Sequence, residues 1–423
     1  MFKPHPCRRI AALLLAAVLL SGCVPRQILS KIAASQGKAA KYTPVLYQEQ
    51  TLSQIQECYS AQHDIVRPHT DAPVIAAWLP YMLYDTLFGS QDMETCRSTV
   101  HSYLAAAKAI GINTIFAHAC AFGEAYYDSD LMPRANLNCQ FDVFGMISEE
   151  CRSLGISLHA WLNPLRLETA EHMDKYWTGD ALSERWYQDE KMRNRCLIKW
   201  ENRWYFSPSE EAVQDYLCRV AAELLNRYPI DGIHIDDYFY PTISTAFDAE
   251  QFSESKADNL AQWRRSQIST LVHKLCETVH NVANDAIFSI SPQASIKNNH
   301  NKLFADVSLW CAEEGYCDWL IPQLYYGFEN DSMPFSGLLT EWCLLPRDAS
   351  VKLLIGIATY KVGQVDTYAG NGANEWVNTQ GIPAKETATV LANTNCGGVA
   401  FYHLGTTLSM SDGEKSELSD AIL

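Results

Sequence analysis

Eight apolar, aromatic-rich runs recur between residues 74 and 405, and helical patterns separate most of them. Each run has the length and composition typical of a buried strand. Strands that alternate with helices predict a parallel sheet, and eight evenly spaced ones predict an α/β protein with a (β/α)8 barrel, the TIM barrel. A doubly wound open sheet is the alternative. The runs cover residues 74–83, 112–121, 156–165, 230–239, 286–294, 318–327, 352–361 and 397–405.

Amphipathic segments between these runs predict helices, most of which end at glycine or proline. One of them opens with Ser207, Pro208 and Glu210, the pattern of a helix whose first turn is capped by side chains, and it stops at Pro229. The predicted helices cover residues 92–110, 141–154, 207–229, 259–283 and 303–315.

Polar or aromatic side chains finish seven of the eight predicted strands. In a TIM barrel the active site lies at this carboxyl end, so these side chains are expected to face a substrate. The clearest case is the segment YPIDGIHIDDYFYPT, in which Asp236 and Asp237 end an apolar strand. Side-chain alternation places Asp236 on the inward face with His234 and turns Asp237 toward a neighbouring strand or loop. Asp231, which begins the strand, is expected to be structural.

Acidic and aromatic side chains at one end of a barrel indicate sugar chemistry. Aromatic rings stack on pyranose rings, and two carboxyl groups can protonate a glycosidic oxygen and stabilise the resulting positive charge. The chain has 11 Trp and 21 Tyr, many of them near predicted strand ends. It lacks a glycine-rich phosphate loop and a Gly-x-Ser-x-Gly elbow, which disfavours nucleotide and α/β-hydrolase chemistry.

A metal site at the strand ends is conceivable but disfavoured. Its ligands would come from different strands, and the sequence has no His-x-His pair there. Packing or contact with a substrate explains each histidine more simply, so no metal or other cofactor is expected. The residues concerned are His118, His159, His234 and Asp236.

Five sequence blocks stand in a characteristic order: GINTIFAHACAFGEAYYDSDLMP, GISLHAWLNPLR, YPIDGIHIDDYFYP, ISPQASIKNN and DWLIPQLYYG. They resemble the successive blocks of the bacterial family 10 glycosyl-hydrolase-like proteins, formerly a domain of unknown function. The resemblance extends from about residue 72 to the end of the sixth strand. It implies a TIM barrel and a glycosidase activity.

Two blocks depart from the family pattern. The family carries Gln-x-Arg ahead of a Gly-Asp, where this chain has His118 and Cys120 ahead of Gly123 and Glu124. Losing the arginine removes a bidentate contact to a carboxylate or sugar. The fifth-strand block has Gln-Ala-Ser after its Ser-Pro, where the family usually has an apolar or aromatic residue and a glycine. A more distant likeness to chitinase-type barrels is incomplete, because Tyr238 occupies the position of their general-acid glutamate.

The resemblance and the strand-end positions together predict the site residues. Asp236 and Asp237 are the candidate catalytic carboxyl groups, and Glu124, at the family's Gly-Asp position, is the alternative second carboxyl. Ten further residues are predicted to contact a substrate or to order the loops around it: His159, Trp161, Asn163, Arg166, His234, Tyr238, Gln293, Gln323, Tyr325 and Tyr326.

The first 23 residues have the features of a bacterial export signal. A basic start precedes an apolar run that is too short to span a bilayer, and the sequence Leu-Ser-Gly-Cys ending at Cys23 resembles a lipobox. The resemblance implies cleavage before Cys23 and lipid on its sulfur, and hence a lipoprotein on the extracytoplasmic face of a bacterial membrane. The predicted divisions are a signal peptide at 1–22, a polar tether at 23–70 and a barrel domain at 71–423.

Net charge limits the partners. The chain carries −16 at pH 7, and loss of Lys3, Arg8 and Arg9 with the signal peptide leaves −19. This charge disfavours nucleic acid and polyanionic wall polymers, so a neutral or amino-sugar polysaccharide fits better. Two function classes stay open: a glycoside hydrolase of the envelope, and a carbohydrate-binding or scaffold lipoprotein whose barrel does not catalyse. Adjacent acids favour the hydrolase, because burying them costs stability unless they are used.

Fourteen cysteines are many for an exported chain. They form no Cys-x-x-Cys motif, and several lie within apolar helix or strand patterns. Most of the twelve that follow Cys23 are therefore predicted to be buried free thiols, with some disulfides left open.

Overall fold

Eight parallel strands form the centre of the fold in the computed structural model, which describes residues 72–90 and 92–423. The predicted signal peptide, Cys23 and tether lie outside the described residues. Each of the eight predicted runs contains one of these strands. They are β1 (Val74–Leu79), β2 (Thr114–Ala121), β4 (Ser157–Leu162), β8 (Gly232–Ile235), β9 (Ile287–Ile290), β10 (Trp319–Leu320), β11 (Lys352–Ala358) and β12 (Gly398–Tyr402).

The eight strands close into a barrel. Their order around it is β1-β2-β4-β8-β9-β10-β11-β12, and β1 pairs in parallel with both β2 and β12. The (β/α)8 prediction is therefore confirmed, and the open sheet is excluded. Most strands end earlier than predicted, because the polar segments that follow them leave the ladder and form the rim.

Helices connect the strands. Within the described part of the chain, no helix is long and apolar enough to cross a membrane. The helices are α1 (Tyr84–Leu87), α2 (Met93–Ala109), α3 (Val143–Leu154), α4 (Ala170–Tyr176), α5 (Leu182–Gln188), α6 (Glu190–Cys196), α7 (Glu211–Arg227), α8 (Ala249–Ser255), α9 (Leu260–Val282), α10 (Ile296–Asn298), α11 (Val307–Ala312), α12 (Phe335–Cys343), α13 (Glu375–Asn378), α14 (Ile382–Leu391), α15 (Leu404–Ser409) and α16 (Asp412–Ile422).

Helix ends agree with the predictions at α2, α3 and α9 but not at α7. Gly155 ends α3 with a left-handed φ of 63°, and Asn259 caps α9 by accepting a hydrogen bond from Gln262 N (2.9 Å). The predicted cap of α7 is wrong, because the helix begins only after Glu210 and has no side-chain cap. Ser207 N donates instead to the carbonyl of residue 196 (2.8 Å), which keeps this segment extended. The predicted helix 303–315 is reduced to α11.

An insertion between β4 and β8 was not predicted. Strands β5 (Arg166–Thr169), β6 (Leu197–Trp200) and β7 (Arg203–Phe206) form an antiparallel sheet in the order β5-β7-β6, and α4 to α6 fill its crossover. The insertion leaves the barrel at the carboxyl end of β4. It therefore stands beside the rim where the candidate site residues lie.

Histidines and tryptophans fill the interior of the barrel. Trp78 Nε1–H donates to His234 Nε2 (2.9 Å), so the His234 Nδ1–H is left to donate to Ser289 Oγ (2.8 Å). His159 is stacked on Trp319 with ring centroids 4.9 Å apart. Burial lowers the pKa of His159 to about 3 and that of His234 well below its ordinary value.

Both histidines are fully buried and lie below the rim. The structure therefore gives His159 and His234 a packing role as neutral side chains, in place of the substrate contact predicted for them. Alternation correctly placed both side chains on the inward face, but it does not give depth along the barrel axis.

Asp231 joins three strands at the amino end of the barrel. Its Oδ2 accepts a hydrogen bond from Leu158 N (2.7 Å), and its carbonyl accepts one from Ile287 N (2.9 Å). These bonds connect β8 to β4 and β9, in line with the structural role expected for this aspartate.

A buried ion pair anchors the loop that follows β8. Arg264 Nε donates to Asp248 Oδ2 (2.9 Å), and its Nη2 donates to the carbonyl of Ser244 (2.7 Å). The guanidinium carbon lies 5.0 Å from the ring centroid of Tyr240 and 4.9 Å from that of Phe304. Arg264 is wholly buried and Asp248 nearly so. The pair thus fixes the course of the loop that begins at the two candidate acids.

Candidate active site

Asp236 and Asp237 follow β8 directly and stand at the carboxyl end of the barrel, as predicted. Their side chains diverge, because successive residues of an extended segment point in opposite directions. Asp236 turns toward the end of β4 and is buried, whereas Asp237 turns toward the ends of β9 and β10 and is partly exposed.

Two donors from the end of β4 hold the Asp236 carboxyl group. Trp161 Nε1–H donates to Oδ2 (3.1 Å), and the Asn163 amide donates to the same oxygen. The backbone N–H of Tyr238 is 3.3 Å from Oδ1. Burial, and then the negative charge of Asp237, raise the pKa of Asp236 well above its usual range. Since Oδ2 already accepts two hydrogen bonds, the proton belongs on Oδ1.

Two glutamines hold the Asp237 carboxyl group. Gln293 Nε2 donates to Oδ2 (3.0 Å), and Gln323 Nε2 donates to Oδ1 (3.1 Å). Burial raises the pKa of Asp237, and the two amide donors oppose that rise because they stabilise the ionised form. Adjacent acids thus have different surroundings, and the structure favours protonation of Asp236 before Asp237.

Arg166 contacts two aromatic rings near the pair. Its guanidinium carbon is 4.9 Å from the ring centroid of Phe122 and 4.4 Å from that of Tyr238. Its positive charge acts to lower the pKa of both Asp236 and Asp237. The structure therefore places Arg166 and Tyr238, both predicted site residues, at the mouth of the barrel, the opening at the carboxyl ends of its strands.

Further tyrosines cluster near the two acids. The ring centroid of Tyr402 is 5.5 Å from that of Tyr325 and 5.9 Å from that of Tyr360. Tyr360 is 38% exposed and Tyr238 is 43% exposed, so the mouth presents ring surface to solvent. Tyr360 follows a barrel strand and Tyr402 ends one, so both belong to the strand-end side chains expected to face a substrate, although neither was among the predicted site residues. That position was the available signal.

A family model described as "Glycosyl hydrolase-like 10" matches residues 89–376, which is more than half of the chain. The chain belongs to this glycosyl hydrolase-like family. Asp236, Asp237 and the residues that hold them all lie within the matched range.

Two curated relatives are named as glycosyl hydrolases. Glycosyl hydrolase DigH from Escherichia coli strain K12 is 27% identical over 304 residues, covering 65% of this chain and 67% of that protein. Glycosyl hydrolase YngK from Bacillus subtilis strain 168 is 25% identical over 281 residues, covering 60% of this chain and 54% of that protein.

Solved structures support the fold. The glycoside hydrolase domain of PgaB from Bordetella bronchiseptica has a TM-score of 0.52 at 12% identity, covering 83% of this chain and 99% of that one. Alpha-L-fucosidase isoenzyme 2 from Paenibacillus thiaminolyticus has a TM-score of 0.53 at 14% identity, covering 83% of this chain and 49% of that one. Both are glycosidases by name.

In this member of the glycosyl hydrolase-like 10 family, the hydrogen-bond partners of Glu124 differ from those of Asp236 and Asp237. Its Oε1 accepts a hydrogen bond from Trp177 Nε1 (3.0 Å) and lies 2.6 Å from His172 Nε2. Both partners belong to the insertion, whereas the partners of Asp236 and Asp237 lie at the ends of barrel strands. Burial raises the pKa of Glu124. The structure therefore holds the Glu124 carboxyl group against the insertion, which it braces, while Asp237 stands next to Asp236 in the chain.

Tyr326 and His118 each contact a residue that supports the site. Tyr326 packs under Lys361, whose Nζ is 5.3 Å from the ring centroid and donates to the carbonyl of Tyr325 (2.8 Å). The His118 ring stacks on Trp161 at 3.4 Å between centroids, and burial lowers the pKa of His118 to about 3. Neutral His118 thus orients Trp161, and Tyr326 orders the loop that carries Tyr325.

Proposed function

We propose that this protein hydrolyses glycosidic bonds, with Asp236 as the proton donor and Asp237 as the second carboxyl group. The observation that carries the proposal is the environment of Asp236. Its carboxyl group is buried at the barrel rim, held on one oxygen by Trp161 and Asn163, and adjacent to a second acid. A carboxyl kept protonated beside one that can ionise is the pairing that glycoside hydrolysis requires.

The proposed reaction follows from the two environments. Asp236 transfers its Oδ1 proton to the glycosidic oxygen, so the leaving sugar departs as a neutral alcohol. Asp237 is negatively charged at that moment and stabilises the positive charge that develops on the other sugar. Water then adds to that sugar, and the proton that the water loses restores the Asp236 carboxyl group, so one water is consumed for each bond cleaved. Gln293 and Gln323 keep the Asp237 carboxylate in place, and the positive charge of Arg166 acts to lower the pKa of both acids.

The pH profile is expected to have two limbs. On the basic limb, the rate should fall as pH rises through the raised pKa of Asp236, because Asp236 then loses the proton that it donates. On the acidic limb, the rate should fall as pH drops through the raised pKa of Asp237, because its carboxylate is then neutralised. Asp237→Asn should abolish the acidic limb. It should also shift the basic limb to lower pH, because the neighbouring charge that raises the pKa of Asp236 is gone. The measurement is kcat/KM against pH for both proteins; an unchanged basic limb in the variant would contradict the pairing.

The substrate class is proposed from charge and surface. An overall charge of −16 disfavours polyanions, and exposed tyrosine rings at the mouth suit pyranose faces. We therefore propose a neutral or amino-sugar polysaccharide of the envelope or surroundings. Incubation with wall glycan, chitin-like and neutral polysaccharides should release new reducing ends from at least one of them. Binding without release across the panel would favour a non-catalytic carbohydrate-binding role.

The proposed location is the extracytoplasmic face of a bacterial membrane, through lipid on Cys23. The motive is the lipobox-like sequence, which lies outside the described residues. Cys23→Ala is expected to leave unprocessed or mislocalised protein, because the sulfur that would carry the lipid is gone. Membrane fractionation and the electrophoretic size of the chain provide the measurement. A variant that is processed and remains with membranes as the parent does would show that lipid on Cys23 is not the anchor.

A further inference from the structure

Two cysteines far apart in sequence lie side by side on the outside of the barrel. Cys343 ends α12 and Cys396 lies in the turn before β12, and their Sγ atoms are 3.7 Å apart. Both are partly exposed, whereas eight of the eleven cysteines in the described residues are buried. The structure thus separates this pair from the thiols that merely fill the core.

The surrounding hydrogen bonds fix the two segments at this spacing. Asn393 Nδ2 is 3.5 Å from Cys343 Sγ, and Arg347 Nη2 donates to the carbonyl of Asn395 (2.8 Å). The N–H of Cys396 donates to the carbonyl of Asn393 (2.9 Å) and closes the turn. A disulfide needs its sulfurs about 2.0 Å apart, so closure requires the two Sγ atoms to approach each other by about 1.7 Å.

We propose that Cys343 and Cys396 are a redox pair that forms an intramolecular disulfide under oxidising conditions. The oxidant is a disulfide, either of a protein or of a small thiol. The Cys343 thiolate attacks one sulfur of that disulfide, forms a mixed disulfide and releases the first thiolate. Cys396 then loses its proton and attacks the Cys343 sulfur, which forms the internal bond and releases the second thiolate. Two protein thiols are oxidised, and one external disulfide is reduced to two thiols.

The chemistry of the pair supports this order of events. The hydrogen bond from Cys396 lowers the pKa of Cys343 to about 7, with a smaller contribution from the Arg347 charge, so a thiolate is available near neutral pH. Cys396 keeps its proton until the second step, because its pKa is raised by the same interaction. The two thiols therefore have the distinct roles of an attacking and a resolving cysteine.

The bond would tie the end of α12 to the start of the last barrel strand. It would close a long loop of chain, and such links stabilise a fold mainly by restricting the unfolded state. The pair lies on the outside of the barrel, and its oxidation does not depend on glycoside hydrolysis. Failure of one proposal would therefore leave the other untouched.

The test is redox equilibration of the purified full-length chain. The protein is incubated with glutathione disulfide at pH 8, quenched in acid, alkylated and digested. The expected result is one cross-linked peptide that contains Cys343 and Cys396 in most of the molecules, and its loss after reduction. Recovery of both thiols alkylated, of glutathione adducts alone, or of links to other cysteines would overturn the proposal.

Three variants provide the controls. Cys343→Ser and Cys396→Ser should each abolish the cross-link, and circular dichroism checks that both remain folded. Cys218→Ser removes the remaining partly exposed cysteine of the described residues and should leave the cross-link intact. The oxidised parent should also melt above the reduced parent, by roughly 3 °C or more. A cross-link that survives Cys343→Ser, or that Cys218→Ser removes, would contradict the assignment.

Discussion

Asp236→Asn is expected to lower the rate of hydrolysis by at least roughly a hundredfold, the low end for loss of a positioned acid or base. The side-chain amide keeps an oxygen that can accept from Trp161 and Asn163, so the local packing should hold. The asparagine lacks the acidic proton that Asp236 carries on Oδ1, the oxygen not held by Trp161 and Asn163. Initial rates of reducing-end release, measured alongside the melting temperature, check both parts of the expectation.

Asp231→Asn is the matched control, because it makes the same chemical change in the same stretch of chain. Asp231 accepts a hydrogen bond from Leu158 N at the opposite end of the barrel, so this variant should lose stability and keep most of its rate. Near-parental activity of Asp236→Asn would remove this residue from the chemistry. An Asp236→Asn protein that simply unfolds would assign the carboxyl group a structural role.

Arg264→Met is expected to lower the free energy of unfolding by about 3–5 kcal/mol, the typical loss when one partner of a buried ion pair is removed. The variant leaves the Asp248 carboxylate buried without its counter-charge, and it removes the guanidinium from between the rings of Tyr240 and Phe304. Denaturant unfolding of parent and variant gives the difference. Catalytic rate should fall as well, since this pair fixes the loop that follows Asp236 and Asp237.

A double variant separates the ion pair from simple loss of packing. Arg264→Met combined with Asp248→Asn has no uncompensated charge, so it should be clearly more stable than the sum of the two single losses predicts. Strictly additive losses would mean that the pair contributes through packing alone.

The barrel could be predicted because its strands are buried on both faces. Burial on both faces requires a nearly continuous apolar run, and such runs can be recognised in the sequence without assigning the helices between them. The insertion could not be predicted for the opposite reason. Strands β6 and β7 have four residues each and carry charged side chains, and α4 to α6 have seven residues each, too few for a clear helical period.

The candidate site was predictable to the extent that it depends on strand ends. Asp236, Asp237 and Asn163 each follow an apolar strand, and the fold brings such positions to one rim. Depth within the barrel was not predictable. His159 and His234 each lie two residues before a rim residue on the same face, Trp161 and Asp236, and therefore one layer lower in the interior.

Glu124 shows a second limit of the sequence. It follows β2 closely, but β3 (Glu124–Ala125) turns back antiparallel to β2 and pairs Glu124 with Ala121. The turn carries the carboxyl group to Trp177 and His172 of the insertion. No sequence pattern had predicted where the insertion lies. A side chain placed after a turn of unknown geometry cannot be assigned a direction from alternation.

The most direct test of the account is hydrolysis in oxygen-18-labelled water. A polysaccharide that the parent protein cleaves is incubated in labelled water, and the fragments are analysed by mass spectrometry against unlabelled fragments kept in the same water to correct for exchange. We expect one solvent oxygen at each new reducing end, and loss of these fragments in Asp236→Asn. Fragments that carry an unsaturated end without solvent oxygen, or fragments that Asp236→Asn forms as fast as the parent, would contradict it.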